Sequence, residues 1–294
     1  MQELFSSSPL IFVALVFFLS LLIGSFLNVV IYRLPIMMER EWRAQCEELA
    51  ETEATDIPAG RFDLVFPRSR CTSCDAQITA MQNVPIVSYL ILRGKCASCG
   101  SSISKRYPIV ETLSAILTAI VAWRFGFGWE SAAAVLLTWT LIAISVIDID
   151  HQIIPDSISL PFVWIGLMLS LFHPMQGSEV LFIDSETAVV GALAGYLSLW
   201  TVYQLFRLMT GKEGMGYGDF KLLAVLGAWL GWQMLPLIIL LSAIVGAVVG
   251  ISMIVFRRAD RSTPIPFGPY LAAAGWIAML WGPQIVAAYL DYMS

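Results

Sequence analysis

Charge is scarce in this chain: 13% of its 294 residues are Asp, Glu, Lys or Arg, against 58% hydrophobic, and the mean hydropathy is +0.76. A soluble globule carries about 25% charged residues, so an ordinary soluble enzyme is excluded and a membrane protein is expected. Histidine is rarer still. His151 and His173 are the only two, and they are expected on opposite sides of a bilayer, which leaves no partner for Ser-His nucleophilic chemistry. Basic residues are missing from MQELFSSS, the stretch before the first apolar run. A cleaved signal peptide would carry a basic segment there, so that run reads as a retained span. No stretch follows GxGxxG after a strand or ends a glycine-rich loop in Gly-Lys-Ser/Thr, which excludes the common nucleotide loops. Nor is there a visible internal repeat, which argues against a solenoid or an inverted-repeat transporter.

Apolar runs are what the chain has in plenty. A hydrocarbon core of ~30 Å takes roughly 20 helical residues to cross, and such runs lie near 9–32, 108–125, 130–149, 157–173, 187–209, 234–256 and 267–290. An eighth, 219–232, is short and would span by tilting or by thinning the bilayer. The expected fold is an all-α polytopic membrane protein of about eight transmembrane helices. Ten of the 17 Lys and Arg residues lie between Arg33 and Arg106; Arg207, Lys212 and Lys221 form a second group and Arg257, Arg258 and Arg261 a third. Eight spans put all three groups on one side, which the excess of positive charge identifies as cytoplasmic, and both termini on the periplasmic side. Residues 174–186 and the tail LDYMS, with acids but no Lys or Arg, fit the opposite face. The net charge of −5 therefore gives no inference about nucleic acid; the lipid bilayer is the partner expected.

The organisation expected is a first transmembrane helix over 1–35, a hydrophilic cytoplasmic domain over 36–107 inserted between the first and second spans, and a transmembrane core over 108–294. Gly191 and Gly195, Gly227 and Gly231, and Gly246 and Gly250 are each four apart, a spacing that favours close helix packing. In the cytoplasmic segment, Cys71-x-x-Cys74 and Cys96-x-x-Cys99 are two thiol pairs separated by 21 residues. That is close to the pattern of a four-cysteine zinc ribbon, and four thiolates suit a closed, structural, tetrahedral zinc site. A redox role is the competing reading, disfavoured because two matched pairs stand in one small reducing-side domain. Cys46 lies outside the pattern.

Ionisable residues within spans are costly and are functional candidates by default. The stretch LIAISVIDIDHQIIPD places three acids at the cytoplasmic end of the third span. Asp148 is deepest, between isoleucines; Asp150, beside His151, could sit at the water interface; Asp156 could cap the next helix. Asp219, in GMGYGDFK, stands at the cytoplasmic start of the sixth span. Two carboxyls at one depth can share a proton, since like charges a few ångströms apart do not both ionise. Such a pair can activate water and protonate an amine, as in aspartic proteases. Gly214, Gly216 and Gly218 could then admit an extended substrate strand to the backbone.

These residues together resemble the type IV prepilin peptidase family. The resemblance covers nearly the whole chain: GSFLNVVIYRLP, the two CxxC pairs, GKCASC, KRYPIVE, IDIDHQIIPD, TGKEGMGYGDFKLLAVLGAWLGWQ and TPIPFGPYLA. It implies that Asp148 and Asp219 are the catalytic pair, a choice that physics left open among Asp148, Asp150 and Asp156; Gly216 and Gly218 would then lie in the substrate loop. It implies an enzyme of the bacterial cytoplasmic (inner) membrane that cleaves the basic leader of type IV prepilins and of the pseudopilins of type II secretion at the cytoplasmic face, usually after a glycine. Methylation of the new N-terminal residue with S-adenosylmethionine follows. Glu111 of KRYPIVE is a candidate participant in methyl transfer, with an ion pair to Lys105 or Arg106 as the alternative. Two other classes compete: an ion-coupled transporter, since paired acids also relay protons, and a zinc-stabilised assembly scaffold.

Overall fold

The computed structural model describes residues 8–50, 61–172, 183–257 and 265–293. The expectations placed on the N-terminal MQELFSS, on His173 and the acidic loop after it, and on Arg258 and Arg261 lie outside the described residues. The chain divides into two compact units, residues 1–127 and 128–294. Among the described residues there is no β-strand, only two isolated bridges, and six helices are long and apolar enough to cross a membrane.

In the first unit, α1 (Pro9–Leu49) is 41 residues long, about 60 Å at the 1.5 Å rise of an α-helix, so it extends well beyond a bilayer. Pro9 opens it, where a missing N–H is no loss. The expected boundary at residue 35 falls inside it: Pro35 is buried within the helix, and the charged run after it continues the same helix. A short 3₁₀ turn (Met81–Asn83) and α2 (Val87–Ile91) follow, and α3 (Arg106–Phe125) returns along α1. Gly24 is what lets α1 and α3 close. A Cβ there would stand 2.8 Å from the Glu111 Cα and 3.2 Å from the Ser114 Cβ. Two polar side chains of this seam donate to backbone within it. Ser114 Oγ donates to the Ser20 carbonyl at 3.1 Å, and Asn28 Nδ2 donates to the carbonyls of Gly24 and Tyr107 at 3.2 and 3.1 Å.

The second unit holds α4 (Trp129–His151), α5 (Asp156–Ser170), α6 (Ser185–Thr210), α7 (Tyr217–Leu230), a 3₁₀ turn (Trp232–Met234), α8 (Leu235–Arg257) and α9 (Gly268–Met293). The 15 residues of α5 and the 14 of α7 are short of the others. They reach only about 21–22 Å at 1.5 Å per residue. Helix α7 is nonetheless the centre: from Asp219 to Leu230 every residue but Lys221 is buried. The glycine spacing read from the sequence shows its use at the α6–α7 seam. A Cβ on Gly191 would lie 2.2 Å from the Gly227 carbonyl oxygen, one on Gly227 would lie 2.1 Å from the Gly191 oxygen, and one on Gly195 would lie 2.5 Å from the Leu223 oxygen. Backbone therefore meets backbone, the closest approach two helices can make. On the other flank, Trp229 Nε1 donates to the Phe162 carbonyl of α5 at 2.8 Å, over Gly166, which leaves the indole its space. Hydroxyls within the spans bond back along their own helices, as Thr138 does to Ala134 and Thr140 to Leu136.

Gly227→Val is expected to destabilise the protein by about 3 kcal/mol or more, the upper end of overpacking costs, because the obstacle is backbone rather than a pliable side chain. A drop in the melting temperature of the detergent-purified protein measures it. Gly128→Ala is the matched control: a Cβ there meets nothing within 4 Å, so the melting temperature should stay put.

Candidate active site

Four helix ends of the second unit converge. The last turn of α4 brings Asp148, the first turn of α7 brings Asp219, α9 begins at Gly268, and α5 begins at Asp156. Asp148 and Asp219 are both buried, 5% and 7% exposed, and near enough to interact electrostatically. Asp148 Oδ2 accepts the Gly268 N–H at 3.0 Å. Helix α9 thus presents its N-terminal end, where backbone N–H groups are unpaired and the helix dipole is positive, to this carboxyl.

The three acids left open by physical reasoning are separated by the fold. Asp150 is exposed. Asp156 does not cap α5; that position belongs to Pro155, and no side-chain cap bond is made. Asp156 instead receives Lys221 Nζ at 2.5 and 2.7 Å on its two oxygens, which ties the start of α5 to the first turn of α7. Only Asp148 is buried beside Asp219. His151 lies exposed at the end of α4.

Ile154 is the wedge that organises the site. A Cβ on Gly218 would stand 2.7 Å from the Ile154 Cβ, and one on Gly268 would stand 3.0 Å from the Ile154 Cδ1 and 2.7 Å from Asp148 Oδ2. Two glycines on different helices are therefore held to one buried side chain from the loop after Asp148. Gly214 has a similar reason, with Phe206 2.7 Å from its would-be Cβ. Gly216 differs: among the described residues the one neighbour within 4 Å of a Cβ there is Asp219 Oδ2, at 3.9 Å. Of the three glycines, then, two are explained by packing and one borders a carboxyl and open space. None has the left-handed backbone that favours glycine; just before them that conformation falls on Gly211, which ends α6. Sequence reasoning assigned no role to Gly268, Ile154 or Lys221. The Gly-Pro step inside TPIPFGPYLA was the available signal for the first, since Pro just inside a helix start fixes where that helix begins.

In the first unit the four expected cysteines come together, each Sγ within 4.8 Å of the others. The two pairs are built alike. The Cys71 N–H donates to the Ala76 carbonyl and its carbonyl accepts from Asp75; the Cys96 N–H donates to the Ser101 carbonyl and its carbonyl accepts from Gly100. Asp75 and Gly100 both turn through positive φ, 55° and 71°, and each loop is closed by one bridge, Arg70 to Gln77 and Lys95 to Ser102. Tetrahedral zinc with Zn–S bonds of about 2.3 Å sets sulfurs roughly 3.8 Å apart, and Cys71 Sγ and Cys99 Sγ are 3.9 Å apart. The donor set fits. The N–H groups of Ser73 and Cys74, with the Ser101 hydroxyl, draw the Cys71 thiol down to about 6, while the neighbouring sulfurs and burial push the Cys74 thiol up to about 12. Cys46 is exposed on α1, outside the cluster. Glu111 is buried in α3 and accepts the Ile86 N–H at 2.8 Å.

Two family models match the chain: the bacterial peptidase A24 N-terminal domain over residues 18–125 and the type IV leader peptidase family over residues 135–251. The first range holds the cysteine cluster and the second holds Asp148 and Asp219. The chain is 57% identical to a prepilin leader peptidase/N-methyltransferase of Stutzerimonas stutzeri over 99% of its length and 98% of the relative's. It is 54% identical to the protein of that name from Pseudomonas aeruginosa, over 98% and 96%, and 45% identical to one from Legionella pneumophila, over 93% and 92%. No solved structure matches the chain. Matched along its whole length by such relatives, the chain belongs to the type IV leader peptidase family.

Proposed function

We propose that this protein is a membrane aspartic endopeptidase that removes the basic leader of prepilins and pseudopilins and then N-methylates the new N-terminal residue. The convergence of two buried carboxyls from different helices, in a chain with full-length relatives of that name, carries the reading. In this reading Asp148, whose Oδ2 accepts the Gly268 N–H, is the base and Asp219 holds the shared proton. Asp148 takes a proton from the water that attacks the scissile carbonyl. Asp219 hydrogen-bonds the carbonyl oxygen, and the pair returns a proton to the leaving amine. Gly216 and Gly218 form the approach for the substrate strand, with Gly216 at the open side of Asp219. In the second reaction the freed amine takes the methyl of S-adenosylmethionine and releases a proton and the thioether product.

Eight crossings suit this chemistry. Helix α7 is enclosed by protein and α5 packs on it, so neither needs to match the bilayer alone. With α5 and α7 counted, both termini are periplasmic and the ends that carry Asp148 and Asp219 are cytoplasmic, in a bacterial inner membrane. Residues 36–107 form the cytoplasmic domain and 108–294 the peptidase core. Zinc held by Cys71, Cys74, Cys96 and Cys99 would stiffen a segment too small to build much apolar core.

Three outcomes are expected. Asp148→Asn and Asp219→Asn, each in membranes supplied with a leader-bearing prepilin, abolish leader cleavage while leaving the protein folded; processing at the wild-type rate in either sinks the peptidase assignment. Gly268→Ala lowers the cleavage rate by about 100-fold, the order of loss that a misplacement near 1 Å produces, because its methyl would press on Asp148 Oδ2. Elemental analysis of the purified protein finds one zinc per chain, and Cys99→Ser loses it; a metal-free protein prepared without chelator in reducing buffer would overturn the cysteine reading.

A further inference from the structure

Between Ala76 and Leu92 there is no Asp, Glu, Lys or Arg, and several apolar side chains of this stretch face outward. Met81 is 83% exposed, Leu90 67% and Ile91 74%, and Val87 is exposed as well. In a domain facing water this would be an unusual surface. Its depth is fixed by Glu111, which lies five residues into α3 from Arg106, about 7.5 Å along the helix. Gly24 stands opposite Glu111, and the Tyr107 carbonyl accepts from Asn28, so this turn of α3 is paired with the apolar part of α1. Glu111 accepts the Ile86 N–H at 2.8 Å. A backbone amide can reach that carboxyl only if residues 84–92 come down to the same level, and Pro85, buried beside it, comes with them.

A second hold agrees. Arg33, at the end of the first apolar run and buried, donates to the carbonyls of Asp63 at 2.8 Å and Pro67 at 2.6 Å. The loop so gripped presents Val65 and Phe66 outward. Two side chains at the membrane end of α1 and α3 thus each pull down a loop that exposes apolar groups. Arg93, Lys95, Lys105 and Arg106 follow closely in sequence, suited to anionic headgroups.

We infer that the 3₁₀ turn and α2 are an interfacial anchor, with Met81, Val87, Leu90 and Ile91 seated among the lipid acyl chains and Val65 and Phe66 at the headgroup boundary. Interfacial helices settle about 5–10 Å into that boundary, which is the depth that Glu111 sets. The anchor fastens the domain to the bilayer, so the cysteine knuckles on either side of it in sequence are carried at the membrane surface and not on a free tether.

The test uses the full-length protein in vesicles of phosphatidylethanolamine and phosphatidylglycerol, with a benzophenone amino acid substituted for Met81 or for Ile91. Both side chains are exposed, so the replacement leaves the packing alone. The same substitution at Trp123, an exposed residue of the α3 span, is the lipid-facing reference, and at Ala97, exposed in the second cysteine knuckle, the water-facing one. After irradiation, intact-mass analysis reads the adduct. Phospholipid adducts at 81 and 91 comparable in yield to those at 123, and several-fold above those at 97, are expected. Yields at 81 and 91 no higher than at 97 overturn the inference, and so does a dominant adduct to a second copy of the chain or to added prepilin.

Discussion

A polar group at membrane depth has no water to turn to, and it must find its partner inside the protein. Most of this molecule follows from that constraint. Hydroxyls bond back to their own helix carbonyls, Asn28 and Ser114 bond across α1 and α3, and the Trp229 indole N–H reaches Phe162. Asp148 is buried with the Gly268 N–H on its Oδ2. The demand reaches beyond the site: to deliver that N–H, helix α9 must begin where α4 ends, and it can come so near only because residue 268 has no Cβ.

The same economy explains the central position of α7. A helix of 14 residues is too short to cross lipid comfortably on its own, but one wrapped by other helices has no lipid to match. The glycines at 191, 195 and 227 bring α6 into backbone contact with it, and Gly166 admits Trp229 on the opposite flank. This close embrace leaves Asp219, on the first turn of α7, no freedom to drift relative to Asp148. The Asp156–Lys221 pair adds a link on the exposed side; its stabilisation is small, as for other solvated ion pairs, but it joins the loop after Asp148 to the turn that holds Asp219.

Much of the arrangement was legible in the sequence, for identifiable reasons. Apolar runs long enough to span lipid reveal themselves by length and composition, and CxxC pairs constrain their own loops to a tight turn, so the gathering of the four thiols followed from spacing. The small-residue intervals at 191, 195 and 227 anticipated a close seam. What failed to show was anything that depends on two distant segments meeting. Asp156 sits where a helix cap is common, and its engagement by Lys221, 65 residues away, leaves no local trace. Gly218 stands in a glycine-rich loop, and nothing near it in the chain announces that it packs against Ile154. Glu111 was a candidate through its place in KRYPIVE, and its bond to the Ile86 amide, 25 residues away, leaves no local trace either.

By itself, then, the sequence determined the environment of the chain, the helices it forms, the cysteine knuckles and a short list of acids at one face of the membrane, because hydropathy, spacing and local turn chemistry are properties of neighbouring residues. Only the tertiary structure decided which acid stands beside Asp219, which backbone group supports it and which glycines are packing devices. Those are outcomes of helix ends from residues 148 to 268 being brought to one point, and no pattern along the chain encodes a distance across it.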